Sequence, residues 1–174
     1  MEKLHVPRID GSLRKAMESK GIKIHNKMTP ASVKKAIIKY MDEHTVIHLG
    51  TCSNNIPRVT PIEFRNKGLR IYLFSEGGVK INNIKKNPKV SASIANHYDR
   101  KSDYFSSRGI QLWGKAKVYG KDENRKVFLE CIKLMGIKEI NLPPLYPYKI
   151  IVIEPEKIRY QDARNGYWFV TWEK

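Results

Sequence analysis

The chain has 174 residues, 41% of them hydrophobic and 10% aromatic, and a formal net charge of +16. That length and composition suit one domain with a substantial core and exclude a disordered chain. No run of about 18 apolar residues occurs, so no membrane-spanning helix is expected.

The charge asks for a cause. Residues 1–40 carry ten Lys/Arg against three Asp/Glu, so part of the excess lies near the N-terminus. A basic surface can serve nucleic acid, an anionic membrane or anionic small molecules. No Arg-Gly repeat or aromatic-and-basic motif of the RNA-recognition type is present, which argues against a nucleic-acid partner. Met1–Pro7 holds no apolar run, so no secretory signal is expected. Cys52 and Cys131 lack metal spacing and read as reduced thiols of a cytoplasmic protein.

Ser12 can cap a short helix ending near Gly21. Thr29-Pro30 opens a second helix, with Thr as cap and Pro in the first turn. Its apolar positions Val33, Ala36, Ile37, Tyr40 and Met41 share one face. From Thr45 the period changes. Strands are expected at 45–53, 56–65 and 69–75, joined by turns at Asn54-Asn55 and Asn66-Lys67-Gly68. A short helix spans Val79–Lys86, stopped by Asn87-Pro88. Further strands are expected at 89–96, 109–119 and 148–153, the last ended by Pro155, with a helix from Asp122 to about Met135 between them. An aromatic piece, Tyr167–Trp172, closes the chain.

Strands followed by strands argue for a small antiparallel barrel with helical decorations, closed so that little edge stays unpaired. The expected fold class is mainly β: a six-stranded antiparallel split barrel with two N-terminal helices. Residues 1–28 form a basic extension and 29–174 the domain.

The segment Ser75-Glu76-Gly77-Gly78-Val79-Lys80 carries the clearest chemistry. Two glycines between a strand and a helix allow a sharp turn, and the helix start offers unpaired N–H groups and a positive dipole end. Lys80 adds an ammonium and Ser75 a hydroxyl. Together they make an anion cradle, although a Gly-Gly turn can also be only a turn.

The order of several motifs adds to this reading: Leu49–Ser53, Pro57–Pro61, Ile71–Glu76, Lys80–Val90 and Gly109–Ala116. Over about residues 30–160 the chain resembles the pyridoxamine-phosphate-oxidase-like FMN-binding split-barrel family. The resemblance implies a homodimer with FMN between subunits. It implies that Arg58, Val59, Thr60 and Pro61 run along the flavin ring and ribityl chain. It implies that Ser75, Glu76, Gly77, Gly78 and Lys80 hold the phosphate, with Asn83 on the helix that follows. Gln111 would contact the flavin, and Tyr167 and Trp168 would cover the partner's flavin. The family often has Ser or Arg just before the lysine; Gly78-Val79 stands there, so backbone N–H groups and Arg58 carry more of the load.

No nucleophile–base pair or paired carboxylate stands out, and His44, His48 and His97 show no metal-ligand spacing, so no catalytic or metal residue is assigned. The flavin itself would carry the chemistry of an FMN-dependent oxidoreductase of unassigned substrate. Other readings stay open: a deazaflavin or haem in the same fold, or a non-enzymatic flavin carrier or sensor with a nucleic-acid-contacting arm. Arg58 can be a solvated edge residue, Val59 and Ile62 core residues, and Tyr167–Trp172 a packed strand.

Overall fold

The computed structural model describes residues 1–25, 27–99 and 101–174. Nine strands and four helices follow in chain order. They are β1 (Lys3–His5), α1 (Gly11–Ser19), α2 (Pro30–Asp42), β2 (Val46–Ser53), β3 (Ile56–Glu63), β4 (Arg65–Lys67), β5 (Arg70–Ser75), α3 (Val79–Lys86), β6 (Lys89–Ala95), β7 (Arg108–Gly120), α4 (Arg125–Met135), β8 (Lys149–Asp162) and β9 (Tyr167–Glu173). Every strand pairing is antiparallel, and the fold is a split barrel of the expected class.

The six expected strands are β2, β3, β5, β6, β7 and β8. Three corrections follow. The expected 56–65 strand breaks at the buried Phe64, and Arg65–Lys67 turns to pair with β5. The three-residue β1 pairs with β9, the aromatic tail. Pro155 does not end β8, which continues to Asp162.

β8 is where the sheet divides. Residues 149–153 pair with β5, residues 157–162 pair with β9, and both halves pair with β7 on the other side. The main path runs β1-β9-β8-β7-β6-β2-β3, so among the described residues β3 has a ladder on one side only. The sheet is therefore not closed by hydrogen bonds, contrary to the expected closed barrel.

Local chemistry explains the ends. Asp10, not Ser12, caps α1, its carboxylate accepting from the N–H groups of Ser12 and Leu13; the shorter Ser12 side chain sits one residue inside the helix start. Thr29 and Ser32 form a reciprocal capping box on α2, with Pro30 in the first turn. Asn54 and Asn55 take φ of 51° and 60°, the left-handed pair that a two-residue hairpin requires.

The main core lies between α2, α3 and the inner faces of the strands, around Ile37, Tyr40, Leu49, Leu73, Leu112 and Ile158. A second cluster packs α4 against β5 and β8 through Phe128, Cys131 and Ile150. A third joins the N-terminal segment to the end of the chain through Met17, Ile22, Phe105 and Ala163.

Candidate functional site

The expected anion cradle lies at the end of β5. Ser75 is buried, and its hydroxyl accepts from the Gly77 N–H at 3.2 Å. Gly77 and Gly78 adopt φ of 114° and 91°, which side-chain-bearing residues rarely reach, and a Cβ on either would meet open space. The glycines are thus needed for conformation and not for close packing. Gly78 is the cap residue of α3 and no side chain caps that helix; the Ile81 N–H donates to the Gly78 carbonyl at 3.0 Å, and the N–H groups of Val79 and Lys80 are left to another acceptor.

Lys80 lies in this first turn and donates to the Gly77 carbonyl at 2.8 Å. Burial holds its ammonium below the usual lysine range; the nearby Arg58 guanidinium pushes the same way, and Glu76 partly opposes. Two cations on different elements, Lys80 at the glycine turn and Arg58 on β3, are thus close enough to repel each other. An anion placed between them relieves both the like-charge repulsion and the loss of hydration.

The expected flavin strand divides by face. Arg58 lies opposite the buried Thr51, and Thr60 opposite the buried Leu49, so both take the inward side of β3. Arg58 nevertheless remains exposed. Val59 and Pro61 take the outer side. Ile56 and Val59 are 70% and 67% exposed, which overturns the reading of Val59 as core. Thr60 Oγ1 is buried and has no hydrogen-bond partner among the described residues. Asn83 is committed inside the protein: its Nδ2 donates to Thr51 Oγ1 at 3.1 Å, and its Oδ1 accepts from Ser53 Oγ at 2.9 Å.

Across the outer face the register aligns two rows. One runs Arg159, Gln111, Ser93, His48, Pro61; the next runs Lys157, Trp113, Ser91, Gly50, Val59. Gly50 and Ser91 leave the second row low between Val59 and Trp113, whereas His48 stands exposed between Ser93 and Pro61 in the first. A Cβ on Gly50 would lie 2.7 Å from Ser91 Oγ. Gln111 is three strands from Pro61, about 14 Å at ordinary strand spacing.

Gln111 and Trp168 line one cleft, with Tyr98, Tyr104, Arg159 and Phe169. Tyr167 lies elsewhere, with Tyr160, His25 and Lys39 along a second cavity. The structure therefore gathers Ser75, Gly77, Gly78 and Lys80 in one turn, with the charge of Arg58 within reach of Lys80; Thr60 lies two residues along β3 from Arg58, on the same side of the strand. Gln111 and Trp168 stand apart from them, and Tyr167 apart from both. Sequence reasoning missed Tyr146, whose hydroxyl reaches the Glu76 carbonyl at 3.5 Å, and Arg159, which no motif marks. No group of three or more His, Cys, Asp or Glu able to hold a metal occurs among the described residues. Among the described residues no helix is long and apolar enough to cross a membrane.

Comparison with known proteins agrees with the architecture. A putative pyridoxamine 5'-phosphate oxidase from Listeria innocua superposes with a TM-score of 0.56 at 21% identity, covering 74% of this chain and 97% of that one. The haem storage protein HutZ from Vibrio cholerae gives 0.59 at 19%, covering 73% and 93%. An FAD-binding protein from Mesorhizobium loti gives 0.56 at 17%, covering 78% and 91%. At these identities the likeness is one of fold. Among curated proteins, an uncharacterized protein of Rhizobium meliloti is 43% identical over 47 residues, a segment spanning 27% of this chain and 31% of that relative. The family profile described as pyridoxamine 5'-phosphate oxidase matches residues 33–162, most of the chain and the whole of the cradle and outer face. The chain belongs to the pyridoxamine 5'-phosphate oxidase family.

Proposed function

We propose that the protein binds FMN as a homodimer and works as an FMN-dependent oxidoreductase. The observation that carries this reading is the Gly77–Gly78 turn, where the partly buried Lys80 donates to the Gly77 carbonyl beside a helix start that no side chain caps, with the like charge of Arg58 within reach of Lys80. Lys80, Arg58, the Ser75 hydroxyl and the turn's N–H groups would hold the phosphate. The backbone of residues 59–61 and the orphaned Thr60 hydroxyl would line the flavin. The bound flavin supplies hydride transfer at N5; the chain positions it and keeps water away.

The dimer follows from the exposure of β3. An edge strand that shows Val59 to solvent, on the same outer face as exposed Val46 and Trp113, presents apolar surface that a second copy would cover. Such a copy would also bring its own Gln111 and Trp168 towards the flavin, which one chain holds apart from its own cradle. Solved proteins of the same fold include an FAD-binding protein and a haem storage protein, so the cofactor is the first thing to measure.

The test is an absorbance spectrum of the full-length protein before and after loading with FMN and desalting. Retained bands near about 370 and 450 nm, lost in Lys80→Ala, support the reading. Absence of those bands alongside tight binding of a deazaflavin or of haem would replace the cofactor. Light scattering reports the dimer; a monomer that retains FMN would overturn the shared interface.

A further inference from the structure

The cleft that holds Gln111 lies between the outer face of β6–β9 and the segment leading into β7, with a volume of about 540 Å³. That is ample for a ligand of one or two rings. Four aromatic side chains wall it: Tyr98, Tyr104, Trp168 and Phe169. Among the described residues no carboxylate lines it, whereas Arg108 and Arg159 do.

The two arginines differ. Arg108 is committed, its Nε to Asp162 and its Nη1 to Glu43, each at 2.6 Å. Arg159 makes no ion pair among the described residues; its guanidinium lies over the Phe169 ring at 4.4 Å. It shares a row with Gln111 and Ser93, whose side chains project to the same side.

The Phe169 contact is built into the backbone. Between Tyr160 and Asp162 the register on β9 moves from Val170 to Tyr167, so β9 carries an extra residue there. Phe169 takes φ of 49°, a left-handed conformation costly for a bulky aromatic residue. Bulges of this kind re-aim side chains beside functional sites. Here the bulge places an aromatic ring beneath a guanidinium that no protein acid neutralises.

We propose that this cleft binds a flat aromatic carboxylate. The carboxylate pairs with the Arg159 fork, the ring lies against Trp168 and Phe169, and Gln111 meets a polar ring substituent. The planar guanidinium matches a carboxylate through two parallel hydrogen bonds. As a reactant of the bound flavin this ligand rests on the preceding proposal; as a bound molecule it rests on the cleft alone.

The test titrates full-length protein, free of FMN and loaded with it, with 2-naphthoate, 2-naphthol and cyclohexanecarboxylate, by calorimetry and tryptophan fluorescence. Naphthoate is expected to bind at least roughly tenfold more tightly than either comparator, since each lacks the charge or the ring. Arg159→Gln should weaken naphthoate by roughly tenfold and leave naphthol unchanged, and Arg159→Lys should fall between. Phe169→Leu should weaken both naphthyl ligands. Lys80→Ala, which tests the flavin site, should leave naphthoate binding to the FMN-free protein intact. No preference for naphthoate in either form, or equal affinity in Arg159→Gln, overturns the proposal. Loss of FMN binding alone overturns only the flavin reading.

Discussion

Thr60 shows what a single side chain can report about a site. Its hydroxyl is buried without a partner, and an unsatisfied buried polar group costs about 1–3 kcal/mol. Valine has nearly the same shape, keeps the strand preference and removes the polar atom. Thr60→Val should therefore raise the stability of the FMN-free protein by on the order of 1 kcal/mol, read from urea unfolding. If the hydroxyl donates to bound flavin, the same change should weaken FMN by roughly fivefold, about the worth of one hydrogen bond. A stability gain with unchanged FMN affinity would remove Thr60 from the cofactor site. This split was not legible in the sequence. The string Arg58–Pro61 marks the strand, but which residues face inward depends on its register with β2, and only the pairing with Thr51 and Leu49 fixes that. Lys80 was legible because glycine conformation and helix-start chemistry are local. Asn83 was not, since its two partners lie about thirty residues away on β2.

At the scale of elements, the clearest lesson is Pro155. A proline cannot donate to a ladder, so it reads as the end of a strand. It is tolerated here because it stands where β8 changes partners, after the residues paired with β5 and before those paired with β9. On the β7 side the register shifts between Trp113 and Gly114, and Gly114 faces Pro155. A Cβ on Gly114 would lie 2.3 Å from the Glu154 carbonyl oxygen and 2.9 Å from Pro155 Cα, both backbone atoms that cannot swing away. Gly114→Ala should cost about 3 kcal/mol and lower the melting temperature by roughly 6–12 °C. Gly136→Ala, strained by its left-handed φ of 71° but with open space around its Cβ, should cost less, about 1 kcal/mol. Equal melting temperatures for the two variants would mean that the β7–β8 crossing is looser than the register implies. The helices and strands β2 and β5 were legible because caps, turns and period agree locally. β1 was not, since three residues of mixed polarity become a strand only when β9 offers an edge.

For the whole molecule, the open question is what the N-terminal segment is for, since the family match begins at residue 33. Charge suggests an arm reaching for an anionic partner, but packing gives it a structural role. β1 covers the edge of β9, and Glu2 binds Lys34 on α2. Met17 and Ile22 are buried against Phe105 and Ala163. The Lys23 carbonyl lies so close to Gly166 that a Cβ there would sit 2.2 Å away, and the His25 ring meets the Asn165 carbonyl at 2.8 Å. Burial of two apolar side chains of this size is worth about 3–6 kcal/mol together. Deleting residues 1–28 should thus lower the melting temperature by at least roughly 6 °C, and more as the exposed β9 edge invites association. The cradle of Ser75, Gly77, Gly78 and Lys80 draws on β5 and α3, which the deletion leaves in place, so FMN should still bind at low temperature. An unchanged melting temperature would show that the segment contributes nothing to the fold. Its cations would then be free for an anionic partner, and binding of the intact and shortened chains to that partner would become the deciding comparison.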